Sequence, residues 1–415
     1  MKLRKPDYFD QFHCIGSACS DTCCAGWEIE VDEETSGRYQ KLQGELGERI
    51  RRHLTVTEEE SYFGLKNGRC PFLNPNGLCD IIIEAGEEQI CDICREHPRF
   101  YNWYGTDTEV GLGMCCEEAQ RLMFASDSPA RFVVEGAGSS PETDGEREAG
   151  SSPAADGERG AENAPQTDGA WDLENGEEEQ FVALLAGARE VLFGLAQNRK
   201  KAFADRIEDC LAFGDCLQDA LDLDDSEALE RISKGEWKQF CTSGSLVFDA
   251  PVSDGEAKEQ RAEVLADIDS LLTFYLGLEA LTGQWPDWLR GVKERLGEIL
   301  DSAERFSDTV SQTSWEYEHL LVYFLNRYFL EVVYDMDAVS KIRFAVCALI
   351  VIRVLEIGNW LQTGVRSEKD RNDVIRCYSK EIEYCPENVA SLVENCWIRE
   401  EMQTEALKEM AKFLL

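Results

Sequence analysis

From Glu177 onward the chain places apolar residues at helical spacing almost to its end. Glu177–Lys201, Glu256–Gly277, Tyr317–Tyr334 and Asp337–Trp360 each predict a helix of about 18 to 25 residues. Met402–Leu415 predicts a final amphipathic helix, and Ser245–Phe248 is the best strand signal in this half. The longest apolar run, Phe344–Ile352, is closed by Arg343 and Arg353. It is too short for a bilayer and reads as a buried core helix. The first third is patterned differently, in short elements and loops. Trp27–Val31 alternates like a half-buried strand. From Asp32 the run EETSGRYQKLQGELGERIRRHL predicts one capped helix, acidic in its first turn, with Arg49, Arg51 and Arg52 in its last.

Between these halves the pattern lapses. Residues 135–180 contain a 12-residue repeat, with PETDGE at Pro141, PAADGE at Pro153 and PQTDGA at Pro165. The segment holds 14 acidic residues, two arginines and Trp171 as its sole aromatic. Too little apolar surface is available to offset the entropy of ordering it, so a disordered linker is expected. The whole chain is acidic, with 81 Asp and Glu against 42 Lys and Arg and a net charge of −39. Such a field disfavours nucleic acid and anionic membranes and favours a basic partner. Met1–Asp10 lacks the apolar segment of a secretory leader, and a cytoplasmic protein without membrane association is expected.

Ten of the 17 cysteines lie in the first 116 residues: Cys14, Cys19, Cys23, Cys24, Cys70, Cys79, Cys91, Cys94, Cys115 and Cys116. In a reducing compartment such clustering points to bound metal rather than disulfides, and thiolate suits both zinc and iron–sulfur clusters. Ten thiols exceed one four-ligand site, so two centres, or one with spares, are compatible with the count. Adjacent side chains diverge, so at most one of Cys23/Cys24 and one of Cys115/Cys116 is expected per centre. The spacing is not that of a zinc ribbon; only Cys91-x2-Cys94 has the paired form. The seven later cysteines, Cys210, Cys216, Cys241, Cys347, Cys377, Cys385 and Cys396, read as ordinary core residues.

The block Tyr8-Phe9 … Phe12-His13-Cys14-Ile15-Gly16 … Cys19 … Asp21-Thr22-Cys23-Cys24 … Gly26-Trp27 resembles the opening of the flagellin lysine-N-methylase family, which carries a CxxCxxCC-type zinc- or iron-chelating domain. The gaps here are wider than that label. The likeness continues through Cys70-Pro71-Phe72-Leu73, Leu78-Cys79-Asp80-Ile81, Cys94-Arg95-Glu96-His97-Pro98-Arg99 and Cys115, and again at Glu318–Tyr323. The resemblance implies Cys14, Cys19, Cys23, Cys24, Cys70, Cys79, Cys94 and Cys115 as metal positions, with Cys91 and Cys116 as additions. It further implies an iron–sulfur (4Fe–4S) cluster or zinc, S-adenosyl-L-methionine as methyl donor, and flagellin as the lysine-bearing substrate.

The residues themselves show no nucleotide-binding fingerprint. Val133–Gly138 resembles a strand entering a glycine turn but runs directly into the repeat. Secondary candidates are His13 and His97 as ligands, Asp21 and Thr22 beside the thiols, Arg95 and Arg99 as a carboxylate clamp, and a His319/Tyr323 face lining a pocket. The expected architecture is mainly α: a small irregular cysteine domain (1–134), a disordered acidic linker (135–176) and an all-helical domain (177–415). Two other functions compete with methyl transfer: a non-catalytic metal-binding interaction module and an iron–sulfur redox protein.

Overall fold

The computed structural model describes residues 2–27, 29–57, 60–136, 175–240 and 254–415. Seven short strands lie before the repeat: β1 (Lys2–Pro6), β2 (Ile29–Glu30), β3 (Leu54–Val56), β4 (Ser61–Phe63), β5 (Arg99–Tyr104), β6 (Asp107–Leu112) and β7 (Phe132–Gly136). Five short helices accompany them: α1 (Glu33–Lys41), α2 (Gly44–His53), α3 (Asp80–Ala85), α4 (Asp92–Glu96) and α5 (Glu117–Met123). The helical half begins with α6 (Asn175–Ala196), α7 (Phe203–Asp222), α8 (Ser226–Ser233), α9 (Asp254–Leu276), α10 (Gln284–Lys293) and α11 (Leu296–Thr309). It continues with α12 (Trp315–Tyr328), α13 (Val332–Asp335), α14 (Ala338–Thr363), α15 (Glu368–Tyr378), α16 (Pro386–Ile398) and α17 (Thr404–Leu414). A π-helical turn, Ser379–Glu383, extends α15. The mainly helical architecture expected from the patterning is the observed one, and the repeat itself, 137–174, lies outside the described residues with Ser245–Phe248 and Cys241.

α14 organises the helical half. Asp337 caps it by accepting from Ser340 N at 3.0 Å, and Gly364 closes it in the left-handed region. Nearly every side chain from Ala338 to Gly358 is buried, because α7, α11, α12, α15, α16 and α17 surround it. α7 approaches closely at Gly214, where a Cβ would lie 2.8 Å from Ile342 Cδ1. Arg353 lies within this core, donating to Leu414 O at 2.7 Å, Tyr317 Oη at 2.9 Å and Ser307 Oγ at 2.6 Å. Saturating the guanidinium in this way is what makes its burial tolerable. No helix among the described residues is long and apolar enough to cross a membrane.

The predicted 33–54 helix is two helices. Its carboxyl half folds back so tightly that a Cβ on Gly47 would stand 2.1 Å from Leu42 O. That carbonyl instead accepts from Arg51 Nη1 at 2.6 Å, and Gly44 supplies the positive φ at the reversal. The amino-terminal cap is as expected, with Asp32 Oδ1 accepting from Thr35 N at 2.8 Å. Likewise the predicted 317–334 helix is α12, a 3-10 turn at Phe329–Glu331 and α13, ending at Met336 with φ 58°. Strand Trp27–Val31 contracts to β2, paired with β4 at Ile29↔Phe63.

Two apolar cores result. The smaller contains Ile29, Val31, Tyr39, Ile50, Phe63, Phe72, Ile81 and Cys91. The larger joins Phe12, Tyr104, Leu112, Met114 and the buried face of α5 to the helices from α6 to α17. A four-stranded sheet in the order β5-β6-β1-β7 bridges the early chain to this larger core. β1 runs parallel to β6 (Arg4↔Glu109) and antiparallel to β7 (Lys2↔Gly136). Glu109 of β6 reaches α6, accepting two hydrogen bonds from buried Arg189 at 2.6 and 2.5 Å.

Candidate functional site

The early cysteines separate into two sets. In the first, backbone bonding holds the stretches together: Cys70 N donates to Cys24 O at 2.8 Å, Cys79 bridges to Leu73, and Cys94 N donates to Cys91 O at 3.1 Å. Cys24, Cys79 and Cys91 are close enough to oppose ionisation of Cys70, which burial chiefly pushes up to about 12. Cys70, Cys79 and Cys94 pack against the smaller core that contains Cys91. The second set comprises Cys14, Cys19, Cys23, Cys115 and Cys116. Cys23 is in electrostatic contact with Cys14 and Cys115, and Cys116 with Cys19 and Cys14. The vicinal Cys23 and Cys24 thus divide between the sets, while their sulfurs share a hydrogen bond that favours ionisation of Cys24. Among the described residues no three His, Cys, Asp or Glu side chains are placed to hold one ion.

Charged residues of α15 and the π-turn grip the 20–22 loop. Lys380 donates to Asp21 and, at 3.0 Å, to Thr22 O. Arg376 adds an ion pair to Asp21 at 3.1 Å. Partial burial works against the Asp21 charge, but these two cations hold its carboxyl below the ordinary range. Thr22 Oγ1 accepts from Cys24 N at 3.0 Å. Glu117, the first residue of α5, accepts from Ser20 N and Oγ at 2.8 and 2.7 Å and from Cys19 Sγ at 3.6 Å. Of the two candidate histidines, His97 stands beside the thiols, with Nε2 3.7 Å from Cys115 Sγ. Burial, then the charge of Lys380, pushes it down to about 4, leaving a neutral imidazole. His13 is exposed, its Nδ1 3.0 Å from Gln11 O. Arg95 pairs with Asp92, and Arg99 lies over Phe12 with its guanidinium carbon 5.1 Å from the ring centroid, so the two form no shared clamp.

A buried polar network leads inward from the second thiol set. Tyr384 stacks on Trp27, hydrogen-bonds the Cys115 sulfur, and passes so close to Gly113 that a Cβ there would lie 2.5 Å from its hydroxyl. Arg327 lies over the Tyr384 ring, 5.8 Å from its centroid, and donates to Tyr323 Oη at 2.8 Å. Tyr323 in turn donates to Glu383 Oε1 at 2.8 Å, which also accepts from Tyr328 at 3.1 Å. Glu383 Oε2 has no hydrogen-bond partner among the described residues. Patterning alone could not reveal this network, because its members are separated by up to 269 positions and a buried Glu is legible only from its partners.

Tyr323 also borders a cavity of about 340 Å³ between β6, α5, the loop that follows it, and α12. Leu112, Leu122, Met123 and Val322 make its floor, and Asp7 and Arg131 stand at its exposed mouth. His319 holds one wall in place: its two ring nitrogens meet Met123 O at 3.0 Å and Ser128 O at 2.9 Å. The shared His319/Tyr323 face therefore both packs in the core and lines a cavity. Among the later cysteines, Cys210, Cys216, Cys347, Cys385 and Cys396 are buried in the helical half, and Cys377 is half-buried.

The family model of the FliB lysine N-methylase C-terminal domain matches residues 189–414, over half of the chain, and the protein belongs to that family. Flagellar biosynthetic protein FliU of Salmonella muenchen is 28% identical over 136 residues, covering 31% of this chain and 80% of that protein. The lysine-N-methylases of Salmonella typhimurium and Salmonella choleraesuis are each 27% identical over 136 residues, covering 31% of this chain and 34% of theirs. The match thus spans about a third of those two enzymes' length. No solved structure matches the chain.

Proposed function

We propose that this protein is a protein-lysine N-methyltransferase that uses S-adenosyl-L-methionine and acts on flagellin in the cytoplasm. The observation that carries the reading is the family match across the helical half; the flagellar name of the FliU relative supports the substrate. In the reaction the neutral lysine amine attacks the sulfonium methyl carbon. The carbon–sulfur bond breaks with its electrons to sulfur, leaving a thioether, and the methylated amine sheds a proton. The amine must be deprotonated and in line for this to proceed. The net charge of −39 favours approach of a lysine-bearing surface.

A thiolate-bound centre, iron–sulfur or zinc, belongs to the same reading: the chemistry of the donors suits it, and binding would have to draw together thiols that, among the described residues, are not yet gathered three to an ion. Two sets of thiols, the second with a neutral His97 beside it, come from four stretches of chain, 14–24, 70–79, 91–97 and 115–116. Cys24, Cys70, Cys79 and Cys94 would supply ligands from the first set, and Cys14, Cys19, Cys23 and Cys115 from the second. Bound there, the metal supplies cross-links that stabilise the fold of a loop-rich region. The chain's own residues then do the positioning: Lys380 and Arg376 hold the 20–22 loop, and Tyr384 joins Cys115 to the Arg327–Glu383 network.

The test is incubation of purified protein with flagellin and S-adenosyl-L-methionine, followed by mass spectrometry of the flagellin. Lysines heavier by one or more methyl groups are expected. Unmodified flagellin alongside protein of full metal content would instead favour a metal-binding interaction module.

A further inference from the structure

We propose that the cavity between β6, α5 and α12 binds the methyl donor, an S-adenosyl sulfonium, with its amino-acid end at Asp7 and Arg131 and its base on the buried floor. The proposal rests on the methyltransferase reading and gives it a location.

Size is the first argument. About 340 Å³ lies within the range of small-molecule sites and is more than one lysine side chain fills. The second is the charge at the mouth. Asp7 N donates to Arg131 O at 3.1 Å, continuing the β1/β7 ladder one step past Pro6↔Phe132. This sets Asp7 across from Arg131 on the rim, and neither side chain forms an ion pair among the described residues. Their neighbours do: Lys5 pairs with Asp10 and Glu135, each at 2.8 Å, and Arg4 with Glu190 at 2.9 Å. In a chain with nearly twice as many acids as bases, an arginine at a cavity mouth with no ion pair among the described residues is available for an outside anion. An α-amino acid group is a zwitterion, and it matches this pair, its carboxylate toward Arg131 and its ammonium toward Asp7.

The third argument is the interior. Leu112, Leu122, Met123 and Val322 form an apolar floor suited to a planar base, while the Asn326 side-chain amide at its edge brings a hydrogen-bonding group. One wall is fixed in advance, because the His319 ring on α12 sits between Met123 O and Ser128 O and donates to one of them. A preset wall lowers the ordering cost of binding. The floor also places the donor beside Tyr323, a member of the polar network from Cys115.

The test is calorimetric titration of the full-length protein with S-adenosylhomocysteine and, separately, with 5′-methylthioadenosine, which lacks the amino-acid end. Wild type is expected to bind both. Arg131→Ala should weaken S-adenosylhomocysteine about tenfold, the loss of one charge-assisted contact, and leave methylthioadenosine unchanged. Ala130→Trp, which fills the cavity from its half-exposed side, should abolish binding of both. Arg131 is on the surface, so its variant keeps the test decisive even where Ala130→Trp fails to fold. Unchanged S-adenosylhomocysteine affinity in Arg131→Ala overturns the proposal and leaves the methyltransferase reading intact. Absence of binding by wild type overturns both.

Discussion

The thiol-bearing segment from Cys14 to His97 and the helical half solve the same problem with unequal means. The helical half wraps α14 so completely that its apolar side chains are lost to solvent for most of its length. Burial on that scale holds a fold without help. The thiol segment has a core of ten buried residues, and much of what holds it is polar: Tyr39 Oη to Gln89 O at 2.7 Å, Asp32 Oδ2 to Asp92 N at 3.0 Å, and Arg49 to Glu84 at 2.5 Å. Exposed Ile82, Ile83 and Ile93 show how little inside remains for its apolar residues. Small regions of this kind need staples, and here the available staples are thiols.

The largest effect should come from removing one. Cys70→Ser, which takes a thiol from the set anchored on the smaller core, should deplete bound metal and expose residues 14–97 to protease, while the helical circular-dichroism signal persists. Retention of metal and of protease resistance would show that the small core suffices alone. The next effect tests the joint between the regions. Glu109→Ala strands Arg189 in the interior, where its bidentate partner is gone, and should cost about 3–5 kcal/mol in chemical denaturation. A loss below 1 kcal/mol would mean that water reaches Arg189 and that the sheet is not firmly seated on α6.

The smallest effect concerns the helical half and depends on pH. Burial pushes Glu331 up to about 7, with Lys341 and Arg327 opposing and Asp335 adding to the shift. A carboxyl raised above its unfolded value near 4.3 favours the protonated fold, so stability falls as pH rises from there through about 7. Glu331→Gln should therefore gain stability over wild type at pH 8 and lose that advantage by pH 4. Parallel melting curves across this range would place the group in solvent instead.

What the sequence made legible follows from range. The mainly helical second half, the cap at Asp32 and the burial of Phe344–Ile352 depend on neighbours a few positions apart, and periodicity reports them. The break between α1 and α2 was also locally encoded, in Gly44 and Gly47, but the strong charge pattern around them masked it. Of the sheet only β7 was signalled, by the strand-like run from Val133; its pairing was not legible, because β1 joins β6 across more than a hundred residues and the other strands are short and mixed in polarity. Nor was the cavity: its floor joins Leu112 and Val322, and no local pattern brings those together. The cysteines announced a thiol-rich region by count, while their division into two sets depends on contacts such as Cys70 with Cys24.

The π-turn at Ser379–Glu383 carries Lys380 toward the thiol loop and Glu383 into the core within one short stretch. A π-turn is an α-helix with one residue too many. Shortening the chain by one position there would restore α-helical register and rotate everything beyond by about 100°. Tyr384 would leave Cys115, and Glu383 would leave Arg327 and both tyrosines, although none of these residues had been replaced. Spacing along the backbone, as much as residue identity, is therefore what this part of the molecule has to preserve.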